Sequence, residues 1–183
     1  WGHGLSPDVP KFSGTDSAQV TRFVVESRRL LREHYRAKHA AGGDTDRHKH
    51  FPVTLPAMAQ FRTTRRIVGQ AILTGGQNGV CVPTSVGLVP DWRKPGPVWE
   101  IPYEILLPRG VTGLLVAGRC ISSEGDAWEV TRVIPPAALT GQVTGIAARL
   151  AISGETTPDV LDVRDVQREL ARYHIPFHIG DVR

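Results

Sequence analysis

The sequence predicts an α/β fold, and three observations carry that reading. Apolar residues recur at helical spacing in two stretches, about 16–40 and 162–173. A third helix is announced at Pro135-Pro136, where missing N–H groups cost little, and is closed by Gly154. Between the helices lie short apolar runs, of which Leu114-Leu115-Val116-Ala117 has no alternation and so fits a strand covered on both faces of a largely parallel sheet. At 183 residues the chain is long enough to bury a substantial core.

In chain order, residues 1–14 are rich in Gly, Pro and Ser and read as a loop or cut end. Val20, Phe23, Val24, Leu30, Leu31 and Tyr35 then form an apolar helical stripe. Thr15 or Asp16 would cap this helix and Gly42-Gly43 would stop it, while Arg28, Arg29, Arg32 and Arg36 form a solvated basic face. Residues 42–56 read as a polar connection. "FRTTRRIVGQAILT" (61–74) is expected to become a strand, followed by the turn chemistry of "GGQNG" (75–79). Residues 80–89 suggest a strand interrupted by Pro83, and 98–108 one in which Pro102 marks an edge or bend. After the run at 114–117, "CISSEGDAWEVT" reads as a loop. The last two helices run from about Pro135 to Ile152 and from the Asp162 cap to Tyr173, the latter with Val163, Val166, Leu170 and Tyr173 in one stripe.

Composition bounds the function. No run of 18 apolar residues occurs, so no transmembrane helix is expected. The net charge of +4 comes with 18 Arg against 4 Lys, but no basic run exceeds two residues and no aromatics interleave, so a nucleic-acid surface is not expected. Cys81 and Cys120 make neither a disulfide framework nor a zinc site. His48 and His50 flank a lysine in a loop, and Pro176 breaks the helix that would align His174 with His178. No metal site is therefore predicted. His3, His48, His50 and His174 are candidate acids or bases only because imidazole titrates near neutrality, and the catalytic group stays unassigned.

The residues that point to chemistry sit between 113 and 148. Gly118, at the carboxyl end of the apolar run, permits a backbone conformation or ligand approach that a side chain would prevent. Ala137, Gly141, Gly145 and Ala148 leave one face of the following helix nearly bare, although each interior glycine costs about 1 kcal/mol. The bare face suits either tight helix–sheet packing or a flat ligand. The helix N-terminus offers free N–H groups and a positive dipole end. Arg119 and Arg132 bracket Glu124, Asp126 and Glu129, which either pair with the arginines or belong to a wall containing Trp128.

"IPYEILLPRGVTGLLVAGRCIS" (101–122), followed by "RVIPPAALTGQVTGIAARLA" (132–151), resembles the carboxy-terminal part of FAD-dependent oxidoreductases of the glutathione-reductase-like flavoprotein type. That family has an "IPY" segment, a "NLLVAGR" strand and an "R-V-[MI]-P…G-x-A-x-G-x-A-A" helix. Here Thr112-Gly113 replaces the usual Asp-Asn, and Gln142 and Thr144 stand among the small residues. "FRTTRRIVGQAILT" is similar to the family's "R-E-[ST]-R-R-I-x-G-x-x-x-L-T", with Thr63 in place of Glu, and "LDVRDVQRELARYHIPF" resembles its closing helix. The likeness spans roughly residues 16–178.

The resemblance implies the carboxy-terminal part of a two-domain FAD/NAD(P)-binding Rossmann-like flavoprotein. Residues 1–108 would belong to a substrate or cap domain, and 109–183 would complete the sheet of the FAD domain. Gly118 and Arg119 would lie at the ribityl or phosphate side of the flavin. Arg132, Val133 and the backbone from Ile134 and Pro135 to Ala137 would approach its pyrimidine edge, where the helix terminus favours negative charge on reduction. Arg62, Arg65 and Arg66 would face the substrate side, with Arg62 or Arg65 binding an anionic or carbonyl-bearing small molecule unless they serve as structural ion pairs. The family's G-x-G-x-x-G loop is absent from these residues: Pro7 stands where Gly2-His3-Gly4 would need its third glycine. With Trp1 in place of an initiator Met, the expectation is a processed or split chain paired with an amino-terminal FAD-binding chain, in the cytoplasm. The alternatives are a non-enzymatic basic domain binding a polyanion, or a cofactor-free scaffold subunit.

Overall fold

A computed structural model describes residues 12–42, 46–55 and 58–182. The expectations for residues 1–11, His3 among them, and for the stop at Gly43 lie outside the described residues. The chain divides into two compact units, Trp1–Thr64 and Arg65–Arg183. No helix among the described residues is long and apolar enough to cross a membrane.

The first unit is built on helix α1 (Ser17–Gly42), followed by the single turn α2 (Asp46–Lys49). Asp16 is its cap: Oδ1 accepts from the N–H groups of Ala18 at 2.9 Å and Gln19 at 3.2 Å. Phe23 packs between Phe12 and Phe61, and Leu31 is the helix's buried residue. Leu30, expected on the apolar stripe, is exposed.

The second unit holds one core, centred on Leu73, Val86, Ile101, Ile105, Leu106, Ile121, Val143, Val166 and Leu170. Strands β1 (Ser85–Pro90) and β2 (Val98–Pro102) pair antiparallel, with a register shift between Ser85 and Leu88. Pro102 ends β2, and residues 103–106 turn in a 3-10 helix, so the bend expected at Pro102 is present. Helices α3 (Gly125–Thr131), α4 (Ile134–Ser153) and α5 (Val163–Arg172) follow. Mixed α/β character therefore holds, but the sheet described is two-stranded and antiparallel rather than parallel.

Four expectations are corrected. Residues 61–74 do not form a strand. Residues 67–73 instead run irregularly between 104–109 and 120–124, bending at Gln70 and Ala71, and bond to both through single backbone contacts: Ile67 N–H to Cys120 O, Gln70 N–H to Leu107 O, and Leu73 N–H to Ser122 O. Gly69 is required there, because a Cβ would lie 2.6 Å from Ser122 Cβ and 2.8 Å from the carbonyl of Ala71.

Residues 114–117 form no ladder either. Val116 N–H donates to Leu106 O, and Leu114 is 47% exposed, so the apolar run is not covered on both faces. The loop expected after Cys120 contains α3, whose Ala127, Val130 and Thr131 face inward at helical spacing. Tyr173, expected in the α5 stripe, is 60% exposed because the helix ends at Arg172.

Candidate functional site

The apolar segment 114–117 delivers the backbone to Gly118, which adopts φ +77°, a conformation costly for any residue with a Cβ. Gly118 N–H donates to Thr140 Oγ1 at 2.9 Å. A Cβ built on Gly118 would stand 3.7 Å from Ala137 Cβ, so the turn at 118 and the first turns of α4 are neighbours. Thr140, a buried member of α4, is held by its own bond to Pro136 O.

Helix α4 faces the core with Pro136, Thr140, Val143, Ile146, Ala147 and Ala151. Gly141 and Gly145 lie on the opposite side, and a Cβ at either would meet nothing within 4 Å. The small-residue face is thus open, and packing among the described residues does not explain it. Ile134, at the start of the helix, is 85% exposed. Pro135 and Pro136 carry no N–H, and Ala137 N–H already bonds Val133 O at 3.2 Å. The donors once expected from Ile134 to Ala137 therefore reduce to Ile134 N–H at that terminus.

The acidic residues of 124–129 pair with arginines, and the pairing separates the two bracketing cations. Arg132 binds Glu129 through Nε at 2.9 Å and Nη2 at 2.6 Å, with its guanidinium 6.0 Å from the centre of the Trp92 ring. Arg66 binds Glu124 at 3.0 Å, and Arg93 binds Asp126 at 3.0 Å. Arg119 is exposed and has no ion pair among the described residues, while its carbonyl accepts from Trp128 Nε1. Arg65 is exposed in the second unit. Arg62 is exposed in the first, where its Nη2 lies 3.5 Å from Gln60 Oε1.

Asp91 anchors this region electrostatically. Its carboxylate is buried and accepts from the side chain and backbone of Arg93, all at 2.9 Å. Hydrogen bonds from the Arg93 side chain outweigh burial and hold its pKa down at about 2. A depressed carboxylate stabilises the fold above its unfolded value near 3.9 and loses that contribution as pH falls through the folded value. Asp91→Asn is therefore expected to cost roughly 2 kcal/mol at about pH 5, and the difference from the unsubstituted chain should vanish below about pH 2. Urea titrations across that range measure it; a difference independent of pH would assign the effect to packing instead.

A second cluster was not expected. His178 does not join His174, whose φ is +55°. Its Nδ1 instead lies 2.9 Å from Glu100 Oε2 and 4.0 Å from Cys81 Sγ. Glu100 has a fully buried side chain and accepts from Val82 N–H at 2.7 Å and Ile179 N–H at 2.8 Å. Burial pushes its pKa upward, but the two backbone donors and His178 more than offset this, leaving it below the ordinary carboxylate value. The Cys81 thiol is pushed up, chiefly by lost hydration and then by the nearby charges of Glu100 and Asp181. Thiol and carboxylate share one imidazole nitrogen, so the histidine cannot relay a proton from one to the other as a nucleophile's base would. The signal that joins these residues is tertiary: Cys81 precedes β1, Glu100 lies within β2, and His178 follows α5.

Residues 87–170 match the family model described as FAD dependent oxidoreductase. No curated protein and no solved structure matches the chain.

Proposed function

From the match of residues 87–170 to the FAD-dependent oxidoreductase model, we propose that the chain supplies the flavin-facing wall of such an enzyme and part of its substrate site. Two-electron redox chemistry is what FAD supplies when bound. The observation that carries the reading is the open face of α4 beside Gly118: two glycines, each costing about 1 kcal/mol of helix stability, border nothing among the described residues. Such a surface admits a flat ring system or a closely packed backbone, and it fits a flavin wall.

In this reading Gly118 lets the chain approach the ribityl or phosphate side, and Arg119 offers an uncompensated charge to a phosphate. The α4 terminus, through Ile134 N–H and the helix dipole, stabilises negative charge at the pyrimidine edge. Pro135 and Ala137 shape that edge. Arg132 and Val133 form the wall beside it, Arg132 with its charge already balanced by Glu129. Arg65, or alternatively Arg62, is the proposed contact for an anionic or carbonyl-bearing substrate. An amino-terminal FAD-binding chain or segment with a G-x-G-x-x-G loop holds the adenine dinucleotide half.

Gly141→Leu tests this without disturbing the fold. In the chain alone the substitution is expected to leave stability unchanged or raise it by about 1 kcal/mol, since leucine is the better helix former and has open space there. In the native assembly it is expected to lower flavin content at least about tenfold, read from the visible absorbance of oxidised flavin. A colourless native assembly, or a Gly141→Leu assembly that keeps its flavin, overturns the proposal.

A further inference from the structure

Cys81 Sγ, Glu100 Oε2 and His178 Nδ1 lie within 4.8 Å of one another, on three separate segments of the second unit. From this geometry we propose that the three residues form a binding site for a thiophilic divalent cation of the Zn²⁺ class. The site is distinct from the proposed flavin wall.

The donor set selects the metal. Thiolate, imidazole and carboxylate together suit Zn²⁺, whereas Mg²⁺ and Ca²⁺ want oxygen ligands alone. Two anionic ligands balance the charge of the ion, and three protein ligands leave a fourth position for water.

The spacing is close to what coordination requires. Tetrahedral Zn²⁺ with bonds of 2.0–2.3 Å sets neighbouring ligand atoms about 3.3–3.6 Å apart. The carboxylate–imidazole pair stands at 2.9 Å and the thiol–imidazole pair at 4.0 Å, so each needs to move by only a few tenths of an ångström.

The ligands are also held from behind. Glu100 is fixed by Val82 and Ile179 N–H, and its Oε2 retains a lone pair for a cation alongside the Val82 bond. The turn carrying His178 is fixed by Asp181 Oδ2, which accepts from the N–H groups of Phe177 at 3.1 Å and His178 at 2.8 Å. On binding, the metal takes Nδ1 and the proton there passes through solvent to Nε2, so the ring stays neutral, while the thiol proton is released to solvent and one proton leaves per ion bound.

Co²⁺ titration of the full chain, kept reduced with a non-thiol reductant, reads the site directly. One equivalent is expected to give a thiolate-to-cobalt charge-transfer band that Zn²⁺ abolishes by displacement. Cys81→Ser, at an exposed position, should remove the band and weaken Zn²⁺ binding at least about 100-fold, the upper end of what changes behind the ligands cost. Cys120→Ser should change neither. Absence of the band from the unsubstituted chain, or its survival in Cys81→Ser with circular dichroism unchanged, overturns the proposal.

Discussion

Replacing Glu100 with alanine is expected to destabilise the second unit by about 3–5 kcal/mol, because several donors lose one buried acceptor at once. The carboxylate is fully buried and serves three donors from distant parts of the chain: Val82 N–H, Ile179 N–H and His178 Nδ1. Alanine would strand two backbone donors, each costing about 1–3 kcal/mol, and leave His178 without its partner. Glu100→Gln keeps an acceptor oxygen but places an NH₂ against a donor, so its loss should be intermediate. Urea denaturation near neutral pH measures both. A loss below about 1 kcal/mol for alanine would mean that water replaces the carboxylate at little cost.

Leu106→Ala is expected to cost about 2–5 kcal/mol through lost burial and a residual cavity. Its side chain is fully buried, and its position is constrained on the backbone as well, since its carbonyl accepts from Val116 N–H. The neighbouring core members Ile105 and Ile121 are also fully buried, which limits collapse into the space left behind. Ile152→Ala is the control: at 78% exposure it should change stability by no more than about 0.5 kcal/mol. Equal effects at the two positions would contradict the core described.

The helices were legible because their ends are written locally. Asp16 and Asp162 cap α1 and α5 through their own side chains, and Pro135-Pro136 and Gly154 bound α4. Helix α3 was hidden by Ser122-Ser123-Glu124-Gly125, which reads as turn chemistry, although Ala127, Val130 and Thr131 carried the helical spacing. The apolar run at 114–117 showed an extended segment but not its partners, because the pairing of a strand depends on residues remote in sequence.

The same division applies to the two sites. Gly118 and the small face of α4 were visible as pattern, and the structure adds that, among the described residues, the face is open and Arg119, unlike Arg132, has no ion-pair partner. The Cys81–Glu100–His178 cluster was invisible, because Pro176 correctly disqualified a helical histidine pair while the actual partners lay in β2 and before β1.

The passage of residues 67–73 between 104–109 and 120–124 bears on folding kinetics. Its bonds, such as Leu73 N–H to Ser122 O and Ile67 N–H to Cys120 O, close large loops, and the chain entropy of closure is lost before the core rewards it. Helices α4 and α5 can begin from neighbouring residues, whereas this weave must await the meeting of three separated segments. Such non-local pairings raise the contact order of the second unit, so its refolding is expected to be slower than that of a helical bundle of equal length, which stopped-flow refolding reads.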